Sequence, residues 1–120
     1  MRAKVVHEEI KHDETQFCAV RLETKNASLI LLSEGEDQLG TLAVAMPPSE
    51  KMIGPPVSSV LLGDRNVVVA RLIAERLAHK TGKIGLASVF TKKLNDIDAG
   101  AAFLKLFDKT FANEREEAEK

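Results

Sequence analysis

Apolar and polar positions alternate with a period of two over much of the first half of the chain. The clearest example is "QFCAVRLET", Gln16 to Thr24, which predicts a β-strand. Its two sides carry Phe17, Ala19 and Arg21, and Cys18, Val20 and Leu22, respectively. Further strands are predicted at "SLILLSE", "TLAVAM", "VSSVLLG" and "KIGLASVF", whereas "AKVVHEEIKH" alternates imperfectly. Because the connections between the early strands are too short for helical crossovers, we expect antiparallel strands.

Two later segments repeat their apolar residues at the spacing of an α-helix. The first spans about 64–82, with Asp64 as the predicted N-cap and Gly82 as the residue that ends it. The second spans about 95–118, with Asn95 or Asp96 as its predicted N-cap. Their apolar faces are Ala70, Ile73, Ala74 and Leu77 in the first helix, and Phe103, Leu106, Phe107 and Phe111 in the second.

Together these elements predict a single α+β domain over residues 1–120. We expect a mainly antiparallel sheet with the two principal helices packed on it. Residues 113–120, "NEREEAEK", are predicted to form a frayed, charged helix end.

The first predicted helix has a wider apolar arc than one packed face requires. Val68 and Leu72 flank the main stripe, and Arg76 follows them at the same spacing. A second neighbour beyond the sheet would account for this arc.

The segment from Pro47 to Pro56 holds all 4 prolines of the chain, and it predicts a long loop. Met46, Met52 and Ile53 lie at or within this loop. Such side chains on a stiffened loop suit contact with another protein, and they equally suit covering one end of the sheet. The candidate residues for a dimer interface or partner contact are therefore Met46, Met52, Ile53, Val68, Leu72 and Arg76.

Composition narrows the classes of function. The formal net charge of the 120 residues is -1, which gives no broad electrostatic attraction for nucleic acid or anionic membranes. Aromatic residues make up 4%, without Trp or Tyr, which counts against a base-stacking surface. Cys18 is the single cysteine, as expected in a reducing compartment. The chain has acids where a signal peptide would be apolar, and no long apolar run. We expect an intact intracellular protein, cytoplasmic, with the nucleus left open as a second location.

The motifs of common catalytic sites do not fit this sequence. Gly63 and Asp64 resemble the start of a phosphate-binding turn, but the second glycine and the lysine of a P-loop are missing. Ser58 and Ser59 lie outside any nucleophile-elbow pattern, and Cys18 in an apolar strand suggests a small buried side chain. His7 and His12 are five residues apart on a predicted strand, so they point to opposite faces. We therefore predict no catalytic, cofactor-binding or metal-binding residues.

Several segments come in the order seen in a known family. These are "FCAVRLETKNASLILLSE", "LGTLAVAM", "PPVSSVLLGD" and "ARLIAERLAHKTGKIGLASVF". They resemble proteasome assembly chaperone 4, a small eukaryotic protein, over roughly Phe17 to Phe90. The most specific pieces are Leu42 to Met46, Leu61 to Asp64, Arg76 to Ala78, and Lys80-Thr81. The first fifteen residues and the last helix do not match motif by motif.

The resemblance implies a non-enzymatic chaperone without cofactor or ATP. Members of this family work as a dimer with assembly chaperone 3, and the pair binds a proteasome α-subunit while the α-ring of the 20S core particle forms. The sequence leaves a homodimer open. Two alternatives also stay open: a small-molecule-binding or enzymatic α+β domain with a site near Ser58 to Gly63, and a generic protein-binding adaptor unrelated to proteasomes.

Overall fold

The computed structural model describes residues 3–12, 14–47, 57–92 and 96–119, with side chains of the last helix described from 97 to 112. The elements within these ranges are β1 (Lys4–His12), β2 (Thr15–Glu23), β3 (Ala27–Glu34), β4 (Thr41–Ala45), β5 (Ser58–Leu62), α1 (Val67–Thr81), β6 (Ile84–Phe90) and α2 (Asp96–Glu119). The predicted α+β class is confirmed, and the weak first strand is present.

The six described strands form one sheet in the order β1-β2-β3-β6-β4-β5. The pairs β1–β2 and β2–β3 are antiparallel, as expected from their short connections. The pairs β4–β5 and β4–β6 are also antiparallel. One pair differs from that expectation. Strand β6 lies between β3 and β4 and runs parallel to β3, with Leu29 aligned to Leu86. The path through β4, β5 and α1 is long enough to bring the chain back in the same direction.

Both helices pack on the same face of the sheet, α1 over β4 and β6 and α2 over β1 and β2. The strands contribute Phe17, Ala19, Ile30, Leu32, Ala43, Ala45, Ala87 and Val89 to the hydrophobic core. The predicted apolar stripes of both helices are buried against these residues. The rings of Phe17 and Phe103 meet edge to face, with centroids 5.5 Å apart, and join β2 to α2.

Small residues let α1 approach the sheet closely. A Cβ atom added to Gly85 of β6 would lie 2.6 Å from the carbonyl oxygen of Ala74 and 2.7 Å from the amide nitrogen of Ala78. Separations that short are not sustained between non-bonded atoms. The packing of α1 on β6 therefore depends on the missing side chain of Gly85.

The start of α1 differs from the prediction, and its end agrees with it. Asn66, not Asp64, is the N-cap, with a left-handed backbone at φ 59 and no capping hydrogen bond from its side chain. The Asn66 carbonyl accepts from the amide of Ala70, and its side-chain oxygen accepts from the hydroxyl of Thr91. Asn tolerates the left-handed region better than most residues, which explains the later start. Gly82 ends the helix at φ 68, and its amide donates to the carbonyl of Ala78.

Helix α2 begins at Asp96, so Asp96 is its first residue rather than the residue before it. Asn95, the other predicted N-cap, lies outside the described residues, so that part of the prediction stays untested. The backbone of α2 is helical to Glu119. The side chains of 113–120 lie outside the described residues, so the predicted fraying there stays a prediction.

Candidate interaction site

The sheet has a second face, on which no helix packs in the parts of the chain that the structure describes. We call it the open face and define it by two cross-strand rows. The rows follow from the strand register: Val5, Leu22, Leu29, Leu86 and Val44 in one, and His7, Val20, Leu31, Ser88 and Leu42 in the other. Eight of these ten residues are apolar. A row of neighbouring apolar side chains on adjacent strands forms a continuous patch, because directly opposite Cβ atoms are only about 5 Å apart.

The interior residues of the open face are half-buried by one another, and no described element forms a layer over them. Val20, Leu22, Leu29 and Leu31 alternate with buried residues that face the helices. At the edges the exposure is larger: Val5 is 52% exposed, and Leu62 of the edge strand β5, aligned with Leu42, is 46% exposed. Contiguous apolar surface of this kind marks protein–protein contact in soluble proteins.

The polar segment Gly35 to Gly40 crosses one end of the open face. The amide of Gln38 donates to the Ser33 hydroxyl at 3.0 Å, and that hydroxyl donates to the Gln38 carbonyl. The amide of Gly40 donates to the hydroxyl of Ser88 at 2.8 Å. These bonds satisfy the hydroxyl groups of Ser33 and Ser88, whose neighbours on the open face are otherwise apolar. The exposed apolar surface is therefore the part of the open face that this segment does not cross.

Cys18 lies on the open face and not in the core, which corrects the interpretation of a buried side chain. It is half-buried and aligned with Glu9 of β1. Burial, with the negative charges of Glu9 and Asp37, raises the pKa of the Cys18 thiol above its ordinary value of 9.0. The thiol is therefore protonated at neutral pH, which is the opposite of what a nucleophilic cysteine needs.

On the helix side of the sheet, a charged network is buried where apolar residues would be expected. Arg21 is 0% exposed, and its guanidinium donates to the Glu23 carboxylate at 2.6 Å and to the carbonyl of Thr110 at 2.9 Å. Lys83 donates to the other oxygen of Glu23 at 2.8 Å, and Ser28 also donates to this carboxylate. The Glu23 carboxylate thus joins β2 to β3 and to Lys83, which lies directly before β6.

The partners of Glu23 decide its protonation. Burial alone would raise the pKa of this carboxyl, but hydrogen bonds from Lys83, Ser28 and Arg21 and the charge of Lys83 outweigh it. The net result is a pKa below the ordinary 4.5. This group is ionised at neutral pH and acts as a structural link.

The predicted contact residues on α1 lie on its outer surface. Val68 is 67% exposed and Leu72 is 39% exposed, and Arg76 is also exposed one turn further along. Leu72 and Arg76 line a groove between α1 and α2, whose opposite wall includes Phe107 and Asp108. The second neighbour suggested by the wide apolar arc is therefore in part α2, and Val68 remains outside that contact.

The remaining candidates for partner contact are on or beside the predicted loop from Pro47 to Pro56, and only one of them is among the described residues. Met46 follows β4 and is 53% exposed. Met52 and Ile53 lie outside the described residues. The role of all three in partner contact stays a prediction.

The alternative site near Ser58 to Gly63 is not gathered at one point. Ser58 is aligned with Ala45 on the helix side, and its hydroxyl accepts from Nε of Arg71 at 3.1 Å. Ser59 is aligned with Val44 on the open face. The two serines therefore point to opposite sides of the sheet. Gly63 has φ 91 and serves the turn after β5, where an added Cβ would lie 2.7 Å from Cα of Thr41.

Among the described residues, no group of three or more His, Cys, Asp or Glu side chains is arranged to hold a metal ion. His7 is exposed on the open face and His12 lies at the end of β1. The described helices also include none with the length and apolar character needed to span a bilayer.

Comparison with known proteins decides the family. The model of the proteasome assembly chaperone 4 family matches residues 14–89, which is more than half of the chain. The chain belongs to the proteasome assembly chaperone 4 family. Its role is accordingly that of a chaperone in assembly of the 20S proteasome, and the role of this family is non-enzymatic.

A solved structure supports the fold of this family member from end to end. It is the crystal structure of a chaperone complex for yeast 20S proteasome assembly, with a TM-score of 0.67 and 14% sequence identity. The match covers 98% of this chain and 98% of the yeast chain. A search of the curated proteins gives no match.

The open face was not identified from the sequence, although a signal for it was present. The pattern places Cys18, Val20 and Leu22 on one side of a strand and Arg21 on the other. An ordinary amphipathic interpretation would turn the side with Arg21 to solvent. In the structure the arginine side is buried by α2, and the Glu23 carboxylate and the carbonyl of Thr110 accept hydrogen bonds from the two terminal nitrogens of the guanidinium. On the apolar side no helix packs among the residues that the structure describes.

Proposed function

We propose that this chain acts as one half of a chaperone dimer that binds a proteasome α-subunit and promotes formation of the α-ring. The observation that carries the proposal is the open face, an apolar surface on which none of the described helices packs, on a chain whose family assembles proteasomes. A sheet with one exposed apolar face is completed by a second sheet, as in β-sandwiches.

The partner in this dimer is an assembly chaperone 3-like protein, with self-association as the alternative arrangement. The yeast protein of similar fold was crystallised as part of a chaperone complex, which is in keeping with a heterodimer. Face-to-face packing would bury both rows of the open face. It would leave α1 and α2 on the outside of the dimer, since both lie on the other side of the sheet.

The proposal includes no catalytic step and no cofactor. Its support is chemical: the thiol of Cys18 has a raised pKa, Ser58 and Ser59 point apart, and Glu23 is held in an ion network. These groups act in folding and in surface shape. We place the activity in the cytoplasm, where proteasome subunits are synthesised.

Size-exclusion chromatography with light scattering tests the dimer. We expect the chain, alone or mixed with a chaperone 3-like protein, to elute above its own mass of 13.1 kDa. Leu31→Asp places a charge in the centre of the open face and should abolish this association. Ile97→Asp is the matched control, because Ile97 is 83% exposed at the start of α2, on the helix side.

Circular dichroism must show that both variants remain folded. A wild-type protein that stays monomeric and fails to bind either a chaperone 3-like protein or any α-subunit would contradict the proposal. Association that survives Leu31→Asp in a folded protein would place the interface elsewhere.

A further inference from the structure

A groove lies between the two helices, on the side of the molecule opposite the open face. Its volume is about 620 Å³. We call it the interhelical groove and define it by its lining residues, Leu72, Glu75, Arg76, His79, Lys80, Phe107 and Asp108. It is an open channel on the surface rather than an enclosed cavity, so it suits a segment of another protein.

The floor of the groove is apolar. Phe107 is 2% exposed and forms the base on the α2 side, and Leu72 is 39% exposed on the α1 side. Val68 lies one helical turn before Leu72 and is 67% exposed, so the apolar strip continues beyond the groove. A side chain entering between Leu72 and Phe107 would meet apolar atoms on both sides.

The two walls differ in charge. Helix α1 contributes Arg76 and Lys80, with His79 between them, and α2 contributes Asp108. Glu75 lies in the same wall, and because two cations, Arg76 and Lys80, stand against this one carboxylate, the α1 wall has a net positive charge. The Lys80 ammonium lies 4.7 Å from the centroid of the Phe111 ring, which orients this cation at the end of the groove.

The positive charge continues past the end of α1. Lys80 also lines a neighbouring recess of about 390 Å³, together with Lys83. Among the described residues, Glu23 is the one acidic residue that lines this recess. Since Glu23 is already bound by Arg21 and Lys83, it does not neutralise the additional cation Lys80. An approaching segment therefore meets an apolar floor bordered on one long side by positive charge.

We propose that the interhelical groove binds an amphipathic helix of a proteasome α-subunit. The apolar residues of this helix lie between Leu72 and Phe107, and its acidic residues lie along Arg76, His79 and Lys80. A helix presents residues at i and i+3 or i+4 on one face, and such a face can lie in an open groove between two other helices. Charge complementarity selects an acidic flank over a basic one.

This inference rests on the proposed function and adds the surface that the α-subunit contacts. The open face and the interhelical groove lie on opposite sides of the sheet. A partner chaperone on the open face would therefore leave the groove accessible, and one molecule could hold both proteins at once.

Binding to purified recombinant proteasome α-subunits, measured one subunit at a time by biolayer interferometry, tests the groove. For the subunit that binds wild-type protein, we expect Leu72→Asp to weaken the affinity by about tenfold or more. Arg76→Glu should weaken it by roughly three- to tenfold, and the effect should shrink as salt is raised.

Two matched controls separate the groove from general effects. Ile97→Asp makes the same change at an exposed apolar residue that does not line the groove. Lys25→Glu makes the same reversal of charge at an exposed residue in the turn between β2 and β3. The affinity of both controls for the α-subunit should be within about twofold of the wild-type affinity. All variants should keep the association with the partner chaperone.

Three results would overturn the inference. If folded Leu72→Asp protein binds the α-subunit with wild-type affinity, the groove is not the contact surface. This result would leave the proposed chaperone dimer unaffected. If Leu72→Asp weakens the affinity for the α-subunit but Arg76→Glu does not, the bound segment does not have the proposed acidic flank. If no α-subunit binds the wild-type protein, with or without the partner chaperone, the proposed function itself fails.

Discussion

The guanidinium of Arg21 lies over the ring of Phe111, with its central carbon 3.9 Å from the ring centroid. Arg21 belongs to β2 and Phe111 to α2, and both are buried. The same guanidinium donates to the carbonyl of Thr110, next to the ring. Because the cation meets a π face and a carbonyl of one helical turn, it fixes that turn of α2 against the sheet.

Replacing Phe111 should therefore loosen the attachment of α2. We expect Phe111→Ala to lower the free energy of unfolding by about 3 kcal/mol, from lost burial and lost cation–π contact. Phe111→Leu keeps most of the apolar volume but removes the π face, and it should cost about half as much or less. Urea unfolding followed by circular dichroism measures both. An unchanged free energy of unfolding in Phe111→Leu would show that the ring contact with Arg21 contributes nothing beyond volume.

The ion network on Glu23 predicts a second loss of stability. In Glu23→Gln the side chain keeps its shape, but Arg21 and Lys83 lose their shared negative partner. Breaking a buried pair from one side leaves an uncompensated charge, and we expect a loss of roughly 3 kcal/mol at pH 7. Glu36→Gln, at an exposed residue in the turn after β3, is the control and should change the free energy of unfolding by less than about 0.5 kcal/mol.

The same network predicts the direction of a pH dependence. The folded pKa of Glu23 is lowered relative to the ordinary 4.5, so its charged form is favoured by folding. This contribution to stability is present above pH 4.5, and it is lost as the pH falls through the lower folded pKa. The stability difference between wild type and Glu23→Gln should therefore shrink as the pH is lowered below 4.5. A difference that stayed constant down to pH 3 would contradict the assignment.

Two glycines should respond oppositely to the same substitution. Gly85→Ala places a Cβ against the backbone of α1 at Ala74 and Ala78, so the helix must shift, at a cost of about 2 kcal/mol or more. Gly100→Ala lies within α2, where the added Cβ would be 3.7 Å from Val69, an ordinary contact. The higher helix propensity of Ala should make this variant more stable by up to about 1 kcal/mol. Thermal unfolding distinguishes the two, and a stabilised Gly85→Ala protein would refute the close packing.

The sequence predicted most elements because their apolar periods are long and regular. It placed the α1 stripe and the α2 stripe correctly, and Gly82 ended α1 as expected. It could not place β6 between β3 and β4, since adjacency in a sheet depends on contacts distant in sequence. It also named Asp64 as the N-cap, because a left-handed Asn66 held by Thr91 is a tertiary effect.

The interaction site was predictable only in part, for a related reason. Val68, Leu72 and Arg76 could be placed on one exposed surface of α1 because a helix surface repeats within one segment, and their role in partner contact stays a prediction. The open face is assembled from five strands, so its rows appear only when the register is known. Arg21 also made the open face hard to predict from the sequence. Burial of a charged residue depends on partners such as Glu23, which a strand pattern does not show.

Cys18 offers a direct probe of the open face. Burial and the charges of Glu9 and Asp37 raise the pKa of its thiol, so alkylation by iodoacetamide near pH 8 should be slower than for a model thiol. Glu9→Gln removes one of these charges and should accelerate the reaction. Because the proposed dimer buries the open face, adding the chaperone 3-like partner should slow alkylation further, in proportion to the bound fraction. If the partner binds but the alkylation rate does not change, the dimer does not form through this face.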